Sequence, residues 1–321
     1  MKVAVLDDYA GAAEELADWS AVRRRATVDI FRSHLGDEDA AAEALRDYDI
    51  ICTMRERTAF PRSLLTRLPK LKLLCFTGER VSGIDIAAAT RQGIVVCNTE
   101  TRGTGGSGTP ELAWGLILGL ARDIPGYNER MRLGGWQDSL GTVLDGKTLG
   151  LMGLGRIGEK MSRIAAAFSM NVVAWSQNLT AERAQACNAQ LVGKDELFRR
   201  SDFLSIHMVL SERSRGIVGA AELGAMKPTA FLVNTSRGPL VDERALLDAL
   251  RNRRIAGAGL DVFDIEPLPG DNPLRSLPNT ILTPHLGYAV VERMRDYYAD
   301  TVANVTGFID GTPLRVVNPA V

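Results

Sequence analysis

The chain has 321 residues, beyond the size at which one hydrophobic core usually stops growing, so two domains are expected. With 45% hydrophobic and 24% charged residues it carries enough apolar mass for sizeable cores and too little imbalance for disorder. Thirty-eight basic against thirty-nine acidic side chains leave a net charge of −1, which provides no field for gathering polyanions and disfavours nucleic acid as a partner.

Residues 1–6 enter a strand-like run directly, without the basic and apolar regions of a secretory signal. No stretch reaches the roughly 18 uninterrupted apolar residues of a membrane span. Cys52, Cys75, Cys97 and Cys187 stand far apart with no C-x-x-C pair and read as buried, reduced thiols. A cytoplasmic protein without a membrane partner is expected.

Short β-rich runs follow at 3–6, 28–31, 50–54, 73–76 and 94–97, separated by helix-like segments around 12–19, 40–45, 62–68 and 84–90. Such alternation predicts βαβ crossovers, a mostly parallel sheet and helices on both faces. The run Thr101-Arg-Gly-Thr-Gly-Gly-Ser-Gly108 is too glycine-rich for a helix or packed strand and reads as a hinge. It lacks the Gly-Lys-Ser/Thr ending of a phosphate loop. Thr109 then offers an N-cap oxygen and Pro110 a first helical position, predicting a helix over 111–121. After a polar stretch, strands are predicted near 148–152, 172–175, 203–207, 230–234, 256–261 and 280–282, and a last helix over 290–309. The fold class is therefore α/β: two Rossmann-like domains, each a mostly parallel, doubly wound sheet, with a cleft between them.

Gly153-Leu-Gly-Arg-Ile-Gly158 follows an apolar strand and opens a helix. Gly153 permits the tight turn, Gly155 lets backbone approach a pyrophosphate, and Gly158 allows close helix packing; the helix N-terminus, with Arg156 and Ile157, supplies N–H donors. In that context the motif predicts dinucleotide binding, against the plainer reading of a turn that only needs small residues. At the end of the next strand, where an acidic residue would hold the adenosine ribose, stands Ser176. A serine cannot repel a 2′-phosphate, so NAD or NADP is expected, with Arg156 and Arg183 the nearest cations by sequence.

Arg237, Glu266 and His285 fall after successive predicted strands, at the edge where open α/β sheets place ligands. Singly, they could be a surface charge, a turn cap and a core histidine. At these residues the sequence resembles the D-isomer-specific 2-hydroxyacid dehydrogenase family. The resemblance rests on the first-domain loop Thr77-Gly-Glu-Arg-Val-Ser-Gly-Ile-Asp85, the glycine fingerprint, Ser205-Ile-His207 and the three C-terminal motifs in order. The family usually has Asp or Glu where Ser176 stands and proline where Val209 stands.

The resemblance implies a discontinuous, flavodoxin-like substrate-binding domain, 1–100 with 290–321, and a nicotinamide dinucleotide-binding domain, 101–289. It implies hydride transfer between NAD(P)(H) and a 2-ketoacid or D-2-hydroxyacid. Arg237 would bind the substrate carboxylate and carbonyl, His285 would donate the proton, and Glu266 would hold the imidazole and favour its protonated form. Backbone N–H groups of Glu79 and Arg80 match a second carboxylate clamp. Asp261 matches a nicotinamide contact, with Thr109 and Thr235 beside it. A homodimer through an arm at 111–146 is also implied. Arg55, Arg57 and Arg80 could favour a second anionic group on the substrate, against the commoner reading of solvated charges. His34 reads as a surface residue and His207 as a strand-end residue near the cofactor, with no proton-transfer role. Three scattered histidines and no paired Cys/His spacing argue against a metal. The competing function is an NAD(H)-sensing binding protein of the same fold, corepressor-like.

Overall fold

The computed structural model describes residues 1–100 and 102–318, and each predicted β run is a strand within a residue of its expected ends. By their contacts the residues divide into two units, Met1–Gly106 with Ala289–Val321, and Ser107–Tyr288.

The first unit opens with β1 (Lys2–Val5), β2 (Thr27–Ile30), β3 (Ile50–Thr53), β4 (Leu73–Phe76) and β5 (Val95–Cys97), which pair in parallel in the order β2-β1-β3-β4-β5. Its connecting helices are α1 (Ala13–Leu16), α2 (Ser20–Arg23), α3 (Glu38–Leu45), α4 (Arg62–Leu65) and α5 (Ile86–Arg91). β3 and β4 are buried along their whole length, as strands covered on both faces must be. Cys52, Cys75 and Cys97 stand side by side in register on β3, β4 and β5, and all four cysteines are buried free thiols.

The glycine-rich run departs from expectation. Gly103–Ser107 form a 3-10 helix that leads into α6 (Gly108–Arg122); Thr101, the first residue of the run, lies outside the described residues. α6 starts ahead of Thr109, so that hydroxyl is no N-cap; it donates to the Gly287 carbonyl at 2.8 Å. The Ser107 hydroxyl, at the true cap position, accepts from Lys160 Nζ at 2.9 Å. The polar stretch after α6, for which no element was predicted, contains α7 (Ile124–Arg132), a helix that buries none of its residues and so shows no apolar stripe.

The second unit continues with β6 (Thr148–Met152), α8 (Arg156–Ala167), β7 (Asn171–Trp175), α9 (Ala181–Ala186), β8 (Gln190–Leu191), α10 (Lys194–Arg200), β9 (Phe203–Ile206), α11 (Ala220–Ala225), β10 (Phe231–Asn234), α12 (Glu243–Arg251), β11 (Gly257–Leu260) and β12 (Thr280–Leu282). These strands form a parallel sheet in the order β12-β11-β10-β9-β6-β7-β8. Successive residues face opposite sides: Leu204 and Leu232 join one core cluster, Phe203 and Val233 the other. From β6 the chain runs outward through β7 to β8, then returns to β9 on β6's other side. That reversal makes a crevice at the carboxyl ends of β6 and β9, the position where such sheets bind ligands.

After the second unit, α13 (Val291–Ile309) returns to the first, burying Tyr297, Tyr298 and Asn304 and packing against β4. The tail pairs beside β5, with Val317 N–H donating to the Val96 carbonyl at 2.8 Å. Asp300 binds Arg102 and Arg315 guanidinium groups at 2.9 and 2.6 Å. Among the described residues no helix is long and apolar enough to cross a membrane.

Candidate active site

The fingerprint forms the turn between β6 and α8. Gly153 has φ +101°, a conformation only glycine adopts readily, and a Cβ there would collide with the His207 carbonyl. At Gly158 a Cβ would strike the Gly153 carbonyl, so α8 can start tight against the turn only without a side chain. Gly155, the residue before α8, is exposed and a Cβ there would meet nothing within 4 Å. The helix N–H donors therefore open onto free space, which fits an approaching pyrophosphate. Arg156 is exposed at the start of α8 and Ile157 packs beneath it.

Ser176 directly follows β7, half-buried, and its carbonyl accepts from Leu179 N–H at 3.1 Å in a tight turn. Arg183, one of the two cations near it by sequence, is bound to Glu159 at 2.8 Å.

On the other side of the crevice, Glu266 and His285 come together: Glu266 Oε2 and His285 Nδ1 are 2.6 Å apart. Glu266 Oε1 accepts from Phe263 N–H at 2.9 Å, which aims the carboxylate. Gly238, next to Arg237, has room for no Cβ because the Phe263 and Asp264 backbone lies against it. The Arg237 turn and the Glu266 turn are therefore packed on each other. Asn234 fixes the first of these by accepting from Ser236 N–H and donating to the Arg237 carbonyl, at 3.0 and 2.9 Å. Arg237 itself is half-buried, with Nη1 donating to the Ser236 carbonyl at 2.6 Å.

Asp261 is fully buried at the end of β11. Its carboxylate accepts from Thr283 Oγ1 at 2.6 Å and from the Leu286 and Gly287 N–H groups at 2.7 and 2.9 Å. Burial pushes this carboxyl above its ordinary range, against the pull of those donors. The loop carrying His285 is wound around it, and His285 takes φ +55° there with its N–H donating to the Asp261 carbonyl at 2.8 Å. Thr109 Oγ1, reaching Gly287, braces the same loop. Sequence reasoning did not single out Thr283, nor Tyr288, whose ring meets His285 edge-on at 5.6 Å. Both stand in the motif that contains His285, but nothing local signals their partners.

Thr235 is buried after β10, and its Oγ1 has no hydrogen-bond partner. In the first unit Glu79 and Arg80 are exposed after β4, in a loop pinned by Asn98 Nδ2 on the Glu79 carbonyl at 2.9 Å. Arg55 lies against Gly78, where its guanidinium would block any Cβ, and Arg57 covers the Tyr9 ring at 5.0 Å. His34, expected at the surface, is only 26% exposed, with Nδ1 3.5 Å from Asp7. Among the described residues no group of three or more His, Cys, Asp or Glu side chains could hold a metal ion.

Residues 114–287 match the family profile described as D-isomer specific 2-hydroxyacid dehydrogenase, NAD binding domain. The chain is 32% identical to the hydroxypyruvate reductase of Blautia hydrogenotrophica, over 99% of its own length and 100% of that protein's. It is 38% identical to the D-3-phosphoglycerate dehydrogenase of Methanocaldococcus jannaschii over 79% of its length, and spans about half, 48%, of that longer relative. A solved phosphoglycerate oxidoreductase from Vibrio cholerae superposes with a TM-score of 0.89 at 35% identity, covering 97% of this chain and 99% of that one. These relatives carry the names of oxidoreductases, which favours an enzyme over a corepressor-like sensor.

Proposed function

Since the chain belongs to the D-isomer specific 2-hydroxyacid dehydrogenase family, we propose that it reduces a 2-ketoacid to the D-2-hydroxyacid with NADH or NADPH. The observation that carries this reading is the 2.6 Å contact of Glu266 with His285, on the same strand-end edge as Arg237 and the fingerprint. Gly153, Gly155 and Gly158 would hold the pyrophosphate of a dinucleotide whose reduced nicotinamide would supply the hydride.

Arg237 presents a planar fork to the substrate carboxylate and keto oxygen and polarises the carbonyl. Glu266 engages His285 at Nδ1, so the proton passes to the nascent alkoxide from the opposite nitrogen, Nε2. Reduction uses the imidazolium and oxidation the neutral ring. Asp261 keeps the loop, and with it the ring, in place. In the first unit, the turn at Glu79 and Arg80 is our candidate for a second carboxylate clamp. Ser176 offers the adenosine ribose no carboxylate, and Arg183, one of the two nearest cations by sequence, is held by Glu159; weak discrimination between the two cofactors follows.

The reading includes a homodimer. α7 and the residues around it expose Ile124, Leu133, Trp136, Leu140 and Val143 by 55 to 89%, an apolar surface of the kind that partner chains cover. The buried thiols suit a cytoplasmic location.

The test is oxidation of NADH and NADPH with glyoxylate, hydroxypyruvate and a series of bulkier 2-ketoacids. Turnover with at least one is expected. Cofactor binding without turnover on any of them would return the sensor as the better reading.

A further inference from the structure

The first unit holds a cluster of thiols that the proposed chemistry leaves unused. Cys52, Cys75 and Cys97 are register partners on β3, β4 and β5, and all three are buried. Partners on adjacent strands lie about 4.8 Å apart, inside the roughly 4.4–6.8 Å between Cα atoms that a disulfide spans. The Cys52 and Cys75 thiols share a hydrogen bond, whereas Cys97 feels Cys75 only as a charge. That bond from Cys52, helped by Asn304 and the Arg315 guanidinium, holds the Cys75 thiol below its ordinary range against the effect of burial. The same bond and burial push Cys52 well above its own. Cys75 is therefore the nucleophile of the pair.

Cys75 is also tied to the loop at Glu79. Its Sγ accepts from Asn304 Nδ2 at 3.3 Å; Asn304 Nδ2 donates as well to the Asn98 carbonyl at 2.8 Å, and Asn304 Oδ1 accepts from Arg315 Nη1 at 2.7 Å. Asn98 Nδ2 in turn donates to the Glu79 carbonyl at 2.9 Å. A short relay thus runs from the thiol through Asn304 and Asn98 to the candidate carboxylate clamp. If Cys75 Sγ turns toward Cys52, the fully buried Asn304 loses an acceptor, which is costly for a group shut away from water. Two turns earlier on the same face of α13, the Tyr297 hydroxyl is buried with no hydrogen-bond partner among the described residues. Such groups are normally met by water, and hydrogen peroxide, little larger than water, can follow it there.

We propose that Cys52 and Cys75 form a reversible disulfide on exposure to hydrogen peroxide and that this bond loosens the turn at Glu79 and Arg80. The Cys75 thiolate attacks one peroxide oxygen: an S–O bond forms, the O–O bond breaks, and the leaving hydroxide takes up the proton that Cys75 gave. The Cys52 sulfur then displaces the hydroxyl from that sulfenic acid, and its own proton leaves in the second water. One peroxide is reduced, two thiols are oxidised by two electrons, and two waters are released. Formation of the bond is independent of the ketoacid reading; its effect on substrate affinity rests on that reading.

The experiment treats the full chain with hydrogen peroxide, alkylates the remaining thiols and maps the peptides without reduction. NADH oxidation is measured on glyoxylate, hydroxypyruvate and bulkier 2-ketoacids before treatment, after it, and after dithiothreitol. A peptide linking Cys52 to Cys75 is expected, with KM for the ketoacid raised about tenfold, the scale of one hydrogen bond. The kcat and the NADH affinity should stay near their untreated values, and dithiothreitol should restore KM. Cys52→Ala and Cys52→Ser should match the untreated wild type and resist peroxide, while Cys97→Ala should respond as the wild type does. Linkage to Cys97, survival of every free thiol, or the same rise in KM in the Cys52 variants would overturn the inference. If the wild type turns over no ketoacid, the reductase reading fails, and amide exchange over residues 77–82 still decides the switch: faster exchange in the peroxide-treated protein supports it, and unchanged exchange overturns it.

Discussion

An imidazole can serve as a general acid only if its ring stays in place while its proton leaves. For His285, the general acid we propose, three neighbours do this: Glu266 holds Nδ1, Tyr288 stands edge-on to the ring, and Asp261 gathers the loop beneath. His285→Asn should lower kcat about a hundredfold to ten-thousandfold, while NADH affinity measured by fluorescence stays near wild type. Glu266→Gln preserves the shape but removes the charge, and should cost kcat roughly tenfold to a hundredfold, the worth of a hydrogen bond to a charged group. Near-normal turnover in either variant would remove that residue from the mechanism. His207 predicts a pH effect on stability. Burial pushes its folded pKa down to about 4, below the unfolded 6.5, so between those values the unfolded chain binds more protons and stability falls as pH falls. The full loss is about 3 kcal/mol from this group. Thermal melts of wild type and His207→Asn at pH 7 and pH 5 should therefore converge on acidification; parallel curves would mean that the ring is not neutral in the folded state. The meeting of Glu266 with His285 was legible in sequence, because each residue follows a predicted strand on the same edge. The work of Asp261 was not, since its donors, Thr283, Leu286 and Gly287, lie across a whole strand connection.

Strands proved more legible than helices because a buried parallel strand writes itself as a short apolar run, whatever its neighbours. Helix α7 has no buried face and left no such trace, and β8, two residues long, was too short to register. The start of α6 was misread because Thr109 is a good local cap, yet its hydroxyl finds a better partner at Gly287, far along the chain. The β6–α8 turn, by contrast, carries its geometry in three glycines and could be read directly. The β7 end offers a direct test of cofactor choice. Ser176→Asp should restore a charged contact to the ribose hydroxyls and repel a 2′-phosphate, shifting the NADH to NADPH ratio of kcat/KM roughly tenfold to a hundredfold toward NADH. An untouched ratio would show that the β7 end does not meet the ribose.

At the scale of the molecule, the exposed side chains around α7 make a prediction about assembly. Trp136 and Leu140 are 76% and 89% exposed, and replacing both with glutamate should shift the protein from dimer to monomer in sedimentation, with its melting temperature little changed if the second unit folds without a partner. A wild-type monomer would refute the proposed arm. The two-unit division was foreseeable from length and from the restart of βα alternation. By its contacts the first unit runs on to Gly106, through most of the 3-10 helix that the glycine-rich run forms without any sign of it in sequence. The bond between Thr109 and Gly287 joins the entry and the exit of the second unit. That unit is one uninterrupted stretch, Ser107–Tyr288, whereas the first is finished by α13 against β4 and by Val317 beside β5. On a ribosome the middle of the chain is thus complete while the beginning still waits for the end. The second unit's residues are all made before the helix that covers β4, which waits for residues 291–309 to emerge.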